Sequence, residues 1–180
     1  MFLLTIYFLK HMATGKTHEH INIFLLILLM PLYFSWIRDW IATGIFGLFY
    51  SLGTFYFSPD LDMANTLPYR RWGPLKFIWY VYSKIIPHRS WISHSFFIGT
   101  LFRLLWFTGC LFLSGFFIVW ILYFTSIGNF SQSYISTWVG IKKFCLQNEN
   151  YLIPVLAGLF LSSLLHEIVD VISTFFKRMF

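Results

Sequence analysis

The sequence predicts an all-α polytopic membrane helix bundle, with about four transmembrane helices plus a short interfacial helix. Three observations predict it. Of the 180 residues, 58% are hydrophobic and only 11% are charged, whereas soluble chains run about 45–50% apolar and about 25% charged. Charge-free runs long enough to cross a bilayer recur along the chain. The formal charge of +6 falls mainly in segments that a hairpin topology puts on one side of the membrane. Such a composition disfavours disorder, a disulfide scaffold and a nucleic-acid-binding surface. Cys110 and Cys145 stand far apart in apolar context and give no metal spacing.

The elements follow in order. Residues 21–37 and 40–57 are free of charge and separated by Arg38-Asp39. They read as two spans joined by a tight turn, with Pro31 expected to kink the first. The charge-free run 104–141, with the segment leading into it, gives a third span over 95–124. It is overlong for about 30 Å of hydrocarbon and is expected to tilt or to start outside it. The run from 151 gives a fourth span over 151–174, which meets His166, Glu167 and Asp170 before it ends. Residues 75–86 are apolar and aromatic but too short to span. They are expected to form an interfacial helix with Trp79, Tyr80 and Tyr82 at headgroup depth.

Residues 1–11 lack a basic n-region and a small-residue cleavage site, so they make a poor signal peptide. The expectation is that translation starts at Met12, with 1–11 an overrun and 12–180 a single domain. N-terminal sequencing that recovered Phe2 or Leu3 would sink it.

Charge sets the orientation. With the N-terminus inside, the inner segments hold Lys10, Lys16, Arg70, Arg71, Lys76, Lys84, Arg89, Lys177 and Arg178. The outer segments hold Arg38, Lys142 and Lys143, and Arg103 lies within the third span. Both termini and the 58–94 loop are therefore expected in the cytoplasm, with the chain in a bacterial plasma membrane or a thylakoid.

This topology delivers the ionisable residues to one membrane face. His18 precedes the first span, and Asp60 and Asp62 follow the second. His88 and His94 lead into the third, and His166, Glu167 and Asp170 lie where the fourth returns. His166 and Asp170 share a helix face at i and i+4. Asp60-Leu61-Asp62, after Pro59, is expected to be extended, with both carboxylates pointing the same way. His88 and His94 need a turn between them, and Ser90 or Ser93 can cap the helix carrying His94. A mixed His/Asp set suits Zn²⁺, Mn²⁺, Fe²⁺ or Ni²⁺ better than Ca²⁺ or Mg²⁺. Its size implies one or two ions, or one ion with strong outer support.

Plainer readings exist for the separate pieces. A lone interfacial histidine is ordinarily just solvated, which is the reading for His11 and His20. Asp-x-Asp alone is a common loop sequence, and His88-Arg89 can be a basic anchor. His166, Glu167 and Asp170 resist such a reading. Ionisable groups at membrane depth cost about 2.5–3.5 kcal/mol each on insertion scales and are functional by default.

An ordered set of motifs runs through the chain: Gly15-Lys16-Thr17-His18, Ser58-Pro59-Asp60-Leu61-Asp62, Tyr69-Arg70-Arg71-Trp72-Gly73-Pro74-Leu75, His88-Arg89-Ser90-Trp91-Ile92-Ser93-His94-Ser95 and His166-Glu167-Ile168-Val169-Asp170. It resembles a bacterial, largely cyanobacterial family of metal-binding membrane proteins of unknown function. More distantly it is similar to the predicted membrane-bound metal-dependent hydrolases. Carried over residue by residue, the resemblance implicates His18, Asp60, Asp62, His88, His94, His166 and Asp170 as metal ligands.

The leading expectation is a metal-dependent hydrolase at the cytoplasmic membrane face, acting on a lipid or phosphate ester. Glu167 is a candidate general base, and Arg89, with Arg70 or Arg71, would hold an anionic substrate. The alternative is a non-enzymatic metal-binding membrane protein that docks a soluble partner through its basic loop. A transporter ranks last, because the 104–141 run carries no ionisable group to relay an ion. A lipid phosphatase of the Pro-Ser-Gly-His type is excluded, since that motif is absent.

Overall fold

The computed structural model describes residues 15–88, 90–124 and 130–179. Among them the chain is all α, in eight helices joined by short turns. Helix α1, Gly15–Ile37, doubles back at Arg38 into α2, Trp40–Phe55. Two local features make that turn. Arg38 adopts φ 58 in the left-handed region and ends α1, its amide donating to the Phe34 carbonyl at 2.8 Å. Asp39 then caps α2, accepting from the amides of Ile41 at 2.7 Å and Ala42 at 3.1 Å.

The segment after α2 is built from short pieces. A 3₁₀ turn, Pro59–Asp62, leads to α3, Leu67–Arg71, and a second 3₁₀ turn, Gly73–Leu75, leads to α4, Lys76–Ile85. A single helical turn, α5, Trp91–His94, precedes the long α6, Ile98–Phe124. Helix α7, Phe130–Gln147, packs on α6 through Tyr134, whose hydroxyl donates to the Phe112 carbonyl at 3.2 Å. The chain ends in α8, Leu152–Met179.

Among the described residues four helical segments are long and apolar enough to cross a membrane: Lys16–Ile37, Trp40–Asp62, Ile98–Phe124 and Glu149–Phe175. They correspond to the four spans expected from sequence. Large apolar side chains such as Phe24, Leu32, Trp36, Leu105, Phe117 and Ile153 lie more than half exposed on their outer faces. Such a coat suits surroundings of lipid rather than water.

The most extensive helix contact joins α2 to α8, and small residues permit it. A Cβ on Gly158 would sit 2.6 Å from the Phe46 carbonyl oxygen and 2.7 Å from the Tyr50 amide nitrogen. Only a bare Cα allows the two backbones this close. Tyr50, fully buried, donates its hydroxyl to the Asn22 carbonyl, and Asn22 donates to the Ser162 carbonyl. Thus α1 is tied to both.

Several expectations are corrected. Among the described residues the first helix is already formed at Gly15, not near 21, because polar residues 16–20 continue the helix beyond its apolar stretch. The third span starts at Ile98, and 91–94 form a separate turn. Helix α7 was not expected at all, since its sequence is too polar to register as a span. Trp79 and Tyr82 are not interfacial anchors. Both are fully buried against Phe57, Trp106 and Phe107, in an aromatic core that clamps α4 onto α6, and only Tyr80 stays exposed. Asp60-Leu61-Asp62 is not extended but forms the 3₁₀ turn, because the Ser58 hydroxyl accepts from the Asp60 amide and Pro59 presets the first φ. The expectations about 1–11, Met12 and His11 fall outside the described residues.

Candidate metal centre

The corrected turn decides how the site is built. A 3₁₀ helix has three residues per turn, so residues two apart point about 120° away from each other. Leu61 takes the third direction and is fully buried in the aromatic core. Asp60 and Asp62 therefore diverge, each toward its own histidines. The Thr66 hydroxyl donates to the carbonyls of Asp60 and Met63 at 3.0 and 3.1 Å and fixes the turn from below.

Asp60 enters a cluster with His18, His166 and Asp170. His18 Nε2 lies 3.3 Å from Asp170 Oδ1. His166 Nε2 lies 3.8 Å from Asp170 Oδ2 and 3.7 Å from Asp60 Oδ1. The two imidazoles stack at 4.7 Å between ring centroids. Both histidines are buried, at 4% and 5% exposure. Separations of 3.7–3.8 Å are too long for hydrogen bonds, and His166 Nε2 has no hydrogen-bond partner among the described residues. They do suit an ion. Two donors about 2.1 Å from a tetrahedral metal stand about 3.4 Å apart. The donor atoms of His18, His166 and Asp170 all lie within 4.8 Å of one another, and a His₂Asp set matches Zn²⁺, Mn²⁺ or Fe²⁺.

Asp62 holds a second cluster. Its carboxylate, almost fully buried, meets His88 Nδ1 at 3.0 Å and His94 Nδ1 at 3.4 Å, one oxygen to each. Ser90 caps α5, accepting from the Ser93 amide, and Ser93 Oγ lies 3.0 Å from His94 Nδ1. Both Asp62 contacts are to Nδ1, so each ring keeps Nε2 for another partner. His94 Nε2 is buried and has no hydrogen-bond partner among the described residues. The two clusters share a cavity of about 370 Å³, walled by His18, Asp60, His88, His94 and Asp170. Asn65, Thr66 and Arg70 form its other polar wall.

The sequence-predicted residues fall as follows. His18, Asp60, His166 and Asp170 come together, and so do Asp62, His88 and His94. Glu167 stands apart, half-buried in a different cavity beside His94. His20 is exposed. Arg89 lies outside the described residues. Arg71 is committed elsewhere. It grips Glu19 with both terminal nitrogens, at 2.5 and 2.6 Å, and the paired carboxylate raises the guanidinium pKa further. That pair pins α3 to α1 at Glu19, the residue after His18.

Arg103 has a role that sequence reasoning missed. Fully buried in α6, it donates to the Ser93 carbonyl at 2.8 Å and to the hydroxyls of Thr100 and Ser163 at 3.0 Å. It thereby locks the turn that carries His94 onto α6 and α8. The signal was a lone arginine in an otherwise charge-free span.

Residues 13–180 match the model of a family described as "Uncharacterized metal-binding protein (DUF2227)". An "Uncharacterized protein" of Aquifex aeolicus (strain VF5) is 32% identical over 133 residues, covering 74% of this chain and 92% of that relative. No solved structure matches the chain.

Proposed function

This chain belongs to the uncharacterized metal-binding protein family, and from that premise we propose that it is an integral membrane metal-dependent hydrolase. Its site lies at the cytoplasmic end of the bundle. His18, His166 and Asp170 would hold a Zn²⁺, Mn²⁺ or Fe²⁺ ion, with the Asp60 carboxylate beside them at 3.7 Å from His166 Nε2. The observation that carries the reading is the spacing of these groups, 3.3, 3.7 and 3.8 Å, with a buried His166 Nε2 that has no hydrogen-bond partner among the described residues. A divalent ion bound there supplies a Lewis acid and lowers the pKa of water toward about 7.

The chain's own groups do the rest. Asp62 orients His88 and His94 through Nδ1, the carboxylate–histidine arrangement that fixes tautomer and ring angle. Asp62, His88 and His94 also stand close enough together to hold an ion; in this reading Asp62 orients the two histidines, whose Nε2 atoms are the ligands it aims at the metal. Glu167, whose Oε1 is buried without a hydrogen-bond partner among the described residues, is the carboxylate placed to take a proton on the apolar side of His94. The shared cavity gives a substrate access to the ligands, which favours catalysis over a closed structural site. Elemental analysis of detergent-purified protein, joined to ester-hydrolysis assays with and without chelator, tests the proposal. Metal-free protein, or activity indifferent to chelation, would end it.

A further inference from the structure

The ligands stand between two cavities of opposite character. The first is the polar one that holds Arg70. A second, of about 440 Å³, is walled mainly by apolar surface, with Val171, Thr174 and Phe175 along it and Glu167 and Arg178 as its other charged side chains. His94 and Asp170 line both. Each cavity reads differently from the side chains around it.

Arg70 is exposed, and among the described residues no carboxylate lies within ion-pair distance of it. Its neighbour Arg71, by contrast, is held by Glu19. On the metal reading, a divalent ion balances Asp60 and Asp170, and Arg70 is the guanidinium on the cavity wall left for an incoming anion. A guanidinium in that position binds oxyanions well. Asn65 and Thr66 add polar side chains on the same wall. The apolar groove runs along α8 past Asp170. Val171 is 68% and Phe175 58% exposed there, where a membrane-embedded bundle meets lipid. Charge complementarity on one side, and continuity of the groove with the ligands on the other, specify a single kind of molecule.

We infer that the site takes an anionic amphiphile, a phosphomonoester lipid, with its headgroup beside Arg70 and the ligand cluster and its acyl chain in the Val171–Phe175 groove. The inference rests on the metal reading and is tested apart from it. The full chain, purified in a neutral detergent and loaded with Zn²⁺, is titrated with dioctanoyl phosphatidic acid, glycerol 3-phosphate and dioctanoyl phosphatidylcholine. Intrinsic tryptophan fluorescence reports binding, and elemental analysis reports metal separately.

Phosphatidic acid is expected to bind at least about tenfold tighter than glycerol 3-phosphate, because its chain buries apolar surface. Phosphatidylcholine is expected to bind at least about tenfold more weakly than phosphatidic acid. Arg70→Gln should weaken both phosphate ligands by about tenfold at unchanged zinc content. Val171→Trp, filling the groove, should weaken phosphatidic acid and leave glycerol 3-phosphate alone. Equal affinities for phosphatidic acid and glycerol 3-phosphate, or an Arg70→Gln protein that binds like the parent, would overturn the inference. Absence of zinc would overturn the metal reading instead, whatever the lipid result.

Discussion

Replacing Asp170 with Asn tests whether the first cluster is a coordination shell. Asp170 gives one oxygen to the His18 side, at 3.3 Å, and the other to the His166 side, at 3.8 Å. The substitution removes the charge and the better ligand while keeping the shape. Four-ligand structural zinc sites are worth about 10–16 kcal/mol. Shared over four donors, that is about 2.5–4 kcal/mol per donor, or about 10²–10³ in affinity at 1.4 kcal/mol per decade. Asp62→Asn acts through His88 and His94 and is expected to cost only about 10–100-fold. The assay is competition for Zn²⁺ against a chromophoric chelator, with the two variants beside the parent. Asp170 is a quarter exposed, so thermal unfolding of the apo protein should move little and folding is controlled. Asp170→Asn protein that holds zinc like the parent, or an Asp62→Asn defect larger than that of Asp170→Asn, would refute the assignment of ligand and orienting group.

Three further outcomes are expected. Gly158→Ala sets a methyl 2.6 Å from the Phe46 carbonyl oxygen. Backbone cannot step aside, so it should destabilise the α2–α8 contact by about 1–3 kcal/mol, read as a lower midpoint in detergent melting. Arg103→Met leaves the Ser93 carbonyl without its buried donor. It should cost about 1–3 kcal/mol of stability and loosen zinc binding by freeing the His94 turn; unaltered zinc affinity would make Arg103 a packing residue only. For sidedness, Arg70→Cys in a chain with Cys110 and Cys145 replaced should react with an impermeant maleimide only after the cells are opened. Reaction in intact cells would invert the topology.

How far the sequence revealed this arrangement depended on the kind of signal. The spans were legible because hydrocarbon thickness is a strong constraint: charge-free runs that begin and end at Arg38-Asp39 or near His166 leave little freedom. The gathering of His18, Asp60, His94 and His166 was legible for the same reason, since antiparallel spans fix which ends meet. Trp79 and Tyr82 were misread because aromatic rings serve interfaces and cores equally well. Only the packing of Phe57 and Phe107 around Trp79 distinguishes the two. Arg103 was visible as an anomaly but had no partner in the sequence pattern, since its acceptors are a carbonyl and two hydroxyls.

The Asp60-Leu61-Asp62 turn shows most clearly what periodicity cannot supply. Two carboxylates at i and i+2 converge if the backbone is extended and part if it is 3₁₀. The choice rests on Ser58, Pro59 and Thr66, which cap, preset and anchor the turn. The consequence is chemical. An extended pair would bridge two ions. The parted pair instead gives Asp60 to the His18–His166 cluster and Asp62 to the Nδ1 atoms of His88 and His94. On the proposed reading, one short motif thereby serves both the cluster that would hold an ion and the histidines beside it. With only seven acidic residues in the chain, such a division of labour between neighbours is how so sparse a set of carboxylates can furnish both layers of one site.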